Sequence, residues 1–270
     1  MLSPLFIVGS PRSGTSILVQ AMQRTGYAGY REGNFLSLLQ TLNASVDRHF
    51  SDFGTTDPDV LVSHIDKTGL KAGLAGILRE AVEALAPKDQ PWLDKTGNPE
   101  MIAAIPTIRA LWPNAVFIFA KRRGIENIAS RLQKFPQLDF TYHCKDWARN
   151  MATWRQLRES TPSLPFLEID QWDIASQPDE TADIIGHFLE LSADDAAAIA
   201  KEFHSARPQE TAPGTATRIL TLAETGWTTA QQEIFQRFCG QAMAENDYVL
   251  DATYRSLALR DALRWHKPAA

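Results

Sequence analysis

Apolar and polar positions along this chain fall into two rhythms. Unbroken apolar runs predict strands buried on both faces: Leu5-Phe6-Ile7-Val8, the shorter Pro91-Trp92-Leu93, Ala115-Val116-Phe117-Ile118-Phe119-Ala120 and Phe166-Leu167-Glu168-Ile169. Between them the apolar residues recur every three or four positions, which predicts helices. These cover Ile17 to Thr25, Phe35 to Phe50, Val60 to Ala86 as one or two helices, a helix opening at Asn98-Pro99-Glu100, and Ile125 to Lys134. A stripe of Cys144, Trp147, Met151 and Trp154 reads as core packing on a further helix, and Thr181 to Leu191 and Ala193 to Phe203 follow. Ile234, Phe235, Phe238, Cys239, Ala242 and Met243 mark the last amphipathic helix, and the tail from Thr253 is expected to be helical. Ser205 to Gly226 reads as a long irregular stretch. Strand–helix alternation of this kind predicts a doubly wound α/β fold with a central parallel sheet in three layers and its sites at the strand C-termini. No repeat or linker divides the chain, so one domain over residues 1–270 is expected, with a helical insertion at about 35–90 over the sheet edge where a substrate would enter.

Composition narrows this picture. At 270 residues with 44% hydrophobic and 22% charged content the chain can bury an ample core. A net charge of −5 argues against a general nucleic-acid or anionic-membrane surface, so an anionic ligand needs a local basic pocket. Two cysteines, Cys144 and Cys239, lack metal-ligand spacing and read as free thiols. The first strand starts almost at Met1 and no apolar run reaches membrane-spanning length, so a cytoplasmic protein with no transmembrane segment is expected.

The chemistry concentrates just after the first strand. Gly9-Ser10-Pro11-Arg12-Ser13-Gly14-Thr15-Ser16 joins a strand end to a helix N-terminus, where several backbone N–H groups converge and the helix dipole favours negative charge. Each dipole–anion contact is worth only about 0.3–1 kcal/mol, so a cation must help, and Arg12 has the planar fork that suits phosphate or sulfate oxygens. Gly9 and Gly14 keep the spacing of G-x-x-x-x-G-K-[ST], but Thr15 stands where that pattern has its lysine. One phosphate-like group is therefore expected here rather than three.

A second basic group, Lys121-Arg122-Arg123, follows the strongest strand. In the next helix Asn127, Ser130 and Lys134 fall on the polar face, so Ser130 can share an anion with Arg122. That strand ends on Lys-Arg-Arg rather than on the aspartate that a Mg²⁺-dependent kinase needs. Two anion sites without a metal-holding aspartate are expected.

Pro11-Arg12-Ser13-Gly14-Thr15-Ser16 resembles the 5′-phosphosulfate loop of sulfotransferases that use 3′-phosphoadenosine 5′-phosphosulfate (PAPS), in the P-R-S-G-T form of Golgi and bacterial members. Arg122 and Ser130, eight residues apart, resemble the pair with which that family holds the 3′-phosphate, although Arg123 and Gly124 replace its usual acidic residue and proline. Asp94-Lys95-Thr96 is similar to the family's [DE]-K-[TD]-P run, whose lysine points at the transferred group, with Gly97 in place of proline. Arg31-Glu32-Gly33 resembles the R-x-G-E run whose glutamate is the base in tyrosylprotein sulfotransferases, displaced by one residue; His49 and His64 are its rivals. Ile169-Asp170-Gln171-Trp172 and Phe188-Leu189-Glu190-Leu191 are similar to the family's Y-E-D-L and F-L-G-L.

The resemblance implies a P-loop-like fold and a PAPS-dependent sulfotransferase that needs no metal. Pro11 to Ser16, Arg122 and Ser130 would bind the donor, and Arg12, Glu32 and Lys95 would act on the reacting atoms. The acceptor would be a hydroxyl or amine of a small molecule, carbohydrate or lipid, with adenine recognition assigned only to the region of Arg207, Arg218 and Trp227. A P-loop small-molecule kinase and a non-catalytic nucleotide-binding regulator are the alternatives.

Overall fold

In the computed structural model, residues 3–205, 217–255 and 265–266 are described. The first apolar run forms β1 (Leu5–Gly9), buried throughout. It pairs in parallel with β3 (Trp92–Thr96) on one side and β4 (Val116–Lys121) on the other. Beyond these lie β2 (Ala28–Gly29) and β5 (Phe166–Asp170), giving five parallel strands. A last strand, β6 (Trp265–His266), runs antiparallel along β5 and completes the order β2-β3-β1-β4-β5-β6.

Strand side chains alternate between faces, and the core divides accordingly. Phe6, Val8, Phe117 and Phe119 face one apolar cluster. It is filled from α4 (Pro99–Leu111), α5 (Gly124–Lys134), α6 (Phe140–Ser160) and α10 (Thr229–Glu245), with Leu39 of α2 (Leu38–Phe53) and Ala75 and Leu78 of α3 (Lys67–Glu83) at its margin. Leu5, Ile7, Ile118, Ala120, Leu167 and Ile169 face the other cluster. That side is covered by α1 (Thr15–Arg24), α7 (Gln171–Ser176), α8 (Pro178–Leu189) and α9 (Ala193–Ser205). This is the expected three-layer, doubly wound α/β arrangement.

The predicted stripe on α6 is core as expected: Cys144, Trp147, Met151 and Trp154 are buried, and Trp154 stacks on Phe119 with ring centroids 4.5 Å apart. Three expectations change. The helix placed at Phe35–Phe50 instead spans Leu38–Phe53. Asp94, Lys95 and Thr96 belong to strand β3 rather than to its exit. Of the tail expected to be helical from Thr253, Arg255 forms a bridge with Tyr248 and residues 265–266 form strand β6, while the remainder lies outside the described residues.

Candidate active site

The loop between β1 and α1 is shaped by close packing. At Gly9 a side chain would place its first carbon 2.1 Å from the Ala120 carbonyl oxygen of β4, so only glycine lets the two strands meet here. Arg12 adopts a left-handed backbone with φ of 72°, which costs a non-glycine residue about 1–2 kcal/mol. Gly14 caps α1 with no side-chain acceptor for the first turn. The helix N-terminus therefore keeps its donors for another partner.

The loop is braced from behind by residues outside its own motif. Asn127 Nδ2 donates to the Pro11 carbonyl at 2.9 Å and to Ser13 Oγ at 3.0 Å. Arg131 donates from Nε to Asn127 Oδ1 at 2.9 Å and from Nη2 to Ser10 Oγ at 2.7 Å, and it is anchored on Asp146 at 2.7 Å. Ser10, Ser13, Asn127 and Arg131 are all buried. Buried charge pairs of this kind add little net stability but fix geometry, because any misplaced member is left without a partner. Asn127 fell on the predicted polar face of α5; the roles of Arg131 and Asp146 were not foreseen, because nothing in the sequence links α6 to the loop.

The three adjacent cations at the end of β4 separate. Lys121 turns under the sheet to Glu168 at 2.6 Å, and Glu168 also meets Arg158 and Trp154. Burial alone would raise the Glu168 carboxyl, but Lys121 and Arg158 outweigh it and hold the group below the usual carboxylate range. Arg123 is fully buried and grips Glu126 through two hydrogen bonds. Its Nη1 donates to the carbonyls of Val249, Asp251 and Thr253 at 3.0, 3.0 and 3.1 Å, and Nη2 to that of Leu220. Only Arg122 faces the loop, donating to the Arg12 carbonyl at 3.3 Å. Of the three adjacent cations it is thus Arg122, the one expected to meet an anion, that stands at the loop.

Arg122 lies close enough to Arg12 to disfavour the Arg12 charge. Burial first, then the Arg122 charge, lowers the Arg12 pKa from its ordinary value. Arg12 Nε donates to Ser130 Oγ at 3.0 Å, so the loop and the α5 serine predicted for two separate anion positions share one boundary. The buried Nε of Arg122 has no hydrogen-bond partner among the described residues. Two crowded guanidiniums, a serine hydroxyl and an uncapped helix end fit an anionic ligand.

At the end of β3, the successive residues Asp94, Lys95 and Thr96 engage the turn carrying Glu32. Lys95, almost fully buried, forms an ion pair with Glu32, whose side chain is half-exposed. Gly33 N donates to the Lys95 carbonyl at 2.8 Å. Thr96 Oγ1 accepts from Asn34 N at 2.9 Å and donates to Asp94 Oδ1 at 2.9 Å. A side-chain carbon at Gly33 would lie 1.8 Å from Asp94 Oδ2, so the turn can rest on the carboxylate only because position 33 carries none. Burial, then the Glu32 charge, pushes the Asp94 carboxyl up to about 6 against the lowering effect of its Thr96 bond. Asp94 was read only as part of a motif; its buried setting depends on Gly33, 61 positions away in sequence.

The sulfotransferase family model matches residues 4–195, a span that includes the β1–α1 loop, Glu32, Lys95, Arg122 and Ser130. The chain belongs to the sulfotransferase family. Among curated proteins none matches its sequence. Solved structures share its fold at low identity. Sulfotransferase STF9 from Mycobacterium avium is 14% identical with a TM-score of 0.56, over 93% of this chain and 79% of that one. The sulfotransferase domain from the curacin biosynthetic pathway is 14% identical with a TM-score of 0.52, over 93% and 99%. Mouse sulfotransferase SULT7A1, solved in complex with PAP, is 15% identical with a TM-score of 0.51, over 91% and 86%.

Elsewhere in this sulfotransferase the rivals to Glu32 have other partners. His49 packs on Phe53 with ring centroids 5.0 Å apart, and His64 Nε2 meets the Pro58 carbonyl at 2.8 Å, both inside the insertion. Trp227 is a core residue between Phe140 and Phe235, and Arg218 is exposed. Arg207 lies outside the described residues. Among those residues no helix is long and apolar enough to cross a membrane.

Proposed function

We propose that this sulfotransferase moves the sulfuryl group of PAPS to a hydroxyl or amine of its acceptor, without a metal. One observation carries the reading: Arg122, Arg12 and Ser130 converge at the ends of β1 and β4, two positive groups and a hydroxyl set close together where an anion would fit. Pro11 to Ser16 would hold the 5′ end of the donor through backbone N–H groups and Arg12, and Arg122 with Ser130 would hold the 3′-phosphate. When bound, the donor supplies a sulfuryl group for in-line displacement, a loose reaction helped chiefly by positioning and by stabilising charge.

This chain's residues divide that task. Arg12 would stabilise the negative charge that grows on the leaving oxygen, and as an arginine it would do so without giving up its proton. Lys95 is the second cation, and its ion pair with Glu32 keeps both at the acceptor side of the sheet edge. The pair engages one carboxylate oxygen of Glu32, which leaves the other to take the acceptor's proton. The half-exposed position of Glu32 gives an acceptor access to it. The insertion over 35–90, within a single domain, would form the acceptor's surroundings.

Thermal unfolding with adenosine 3′,5′-bisphosphate (PAP), and separately with ATP and Mg²⁺, tests the reading. At a hundred times its dissociation constant PAP should stabilise by about 2.7 kcal/mol and raise the melting temperature by about 5–10 °C. A rise with ATP and Mg²⁺ alone would replace this reading with a kinase. Binding of PAP with no transfer to any acceptor would favour a regulator. Chelation of divalent metal should leave transfer unchanged.

A further inference from the structure

Thirteen large apolar side chains are exposed among the described residues, and ten of them lie between Tyr30 and Leu85. That span is about a fifth of the chain, so exposed apolar side chains are concentrated in the insertion and the turn before it. Its inner end meets the reacting centre. Tyr30 is 66% exposed, Phe35 41% and Leu38 40%. Tyr30 and Phe35 flank Glu32 in sequence on a turn fastened to β3 through Gly33 N to the Lys95 carbonyl and Asn34 N to Thr96 Oγ1, and Leu38 opens α2 directly after it.

Charge in the same span narrows the occupant. Tyr30 to Leu85 holds five basic and eight acidic residues, so this surface repels a polyanion such as an acidic glycan. A neutral sugar would set hydroxyls against Phe35 and Leu38, which return no hydrogen bond. We propose that the acceptor is an uncharged alcohol with a sizeable apolar body, resting on Tyr30, Phe35 and Leu38 with its hydroxyl at Glu32. This rests on the sulfuryl-transfer reading above. In the step, the hydroxyl oxygen gains the sulfuryl group and its proton passes to Glu32. The bond to the donor's 5′-phosphate breaks, and PAP leaves with the electron pair.

The test supplies the full-length protein with PAPS and, in turn, hexan-1-ol, octan-1-ol, decan-1-ol and cellobiose. Transfer efficiency, kcat/KM, should rise about three- to fourfold for each added methylene that reaches the apolar surface. The variant carrying Tyr30→Ser, Phe35→Ser and Leu38→Ser should lose that dependence while PAP raises its melting temperature as in the parent; all three residues are surface-exposed, so the fold is spared. Equal rates along the series, transfer to cellobiose alone, or no transfer to any alcohol while PAP still binds would each overturn the inference. So would a dimer in sedimentation that the triple variant abolishes, since a second copy would then cover this surface. If PAP fails to stabilise the protein and PAPS is not consumed, the sulfuryl-transfer reading falls first and this inference with it.

Discussion

The β1–β4 half of the sheet edge and its β3 half are built by different means. Around the loop, buried groups hold one another: Arg131 and Asn127 tie Ser10, Pro11 and Ser13 to helices behind them. At β3 a single turn rests on Asp94, Lys95 and Thr96, and the helices beyond it expose much of their apolar surface. The first arrangement suits a ligand that is the same in every turnover and gains from rigid dipoles. The second suits a partner recognised by area and shape. Within one family, the constant half can be shared while the other half changes.

The comparison breaks most readily at Lys95. Lys95→Ala should lower kcat by about 10²–10³, the cost of removing one preorganised donor at a charge-developing centre, while PAP affinity moves less than twofold. Rapid-quench turnover beside PAP titration would check this; an equal loss in both would place Lys95 in the donor site. Next in size is Arg122→Ala, which should weaken PAP by about 10–150-fold, since hydrogen bonds to charged groups are worth about 1.5–3 kcal/mol. Adenosine 5′-phosphosulfate, which lacks the 3′-phosphate, should lose far less, and equal weakening of both by calorimetry would remove the 3′-phosphate assignment.

The smallest effect sharpens the comparison through pH. A carboxyl whose folded pKa, about 6, lies above its unfolded value binds its proton more tightly in the folded chain. Its contribution is present at low pH and is lost as pH rises from about 4 through 6. Asp94→Asn, which keeps an acceptor for Thr96, should therefore gain on the parent by about 1–3 kcal/mol between pH 4 and pH 8 in denaturant titrations. A constant difference between the two proteins across that range would show that Asp94 is not held in a buried setting.

The sheet, both flanking layers and the order of the motifs were legible because apolar runs and phosphate-loop spacing are local signals. Lys95 and Glu32 were likewise named from short motifs, and the structure brings them into one ion pair. Lys121-Arg122-Arg123 could not be divided from sequence alone, because the carboxylates that claim Lys121 and Arg123 come from Glu168 on another strand and from the buried first turn of α5. The Asp94–Gly33 contact was hidden because its two residues lie far apart in the chain.

Arg123 has a consequence for the timing of assembly. Three of the carbonyl oxygens around its guanidinium come from residues 249–253, and the hydroxyl accepting from its backbone N–H belongs to Tyr254, which also donates to buried Asp170. A nascent chain that has made the whole nucleotide-facing loop and Arg122 still has a buried cation without those acceptors until residues 249–254 have been made. Competence for the donor should thus lag behind synthesis of the donor loop: a chain ending at Asp247 should fail to protect α5 from hydrogen exchange and should not respond to PAP, although every predicted donor-binding residue is present in it. Residues 249–254 act as a latch that closes the first half of the molecule.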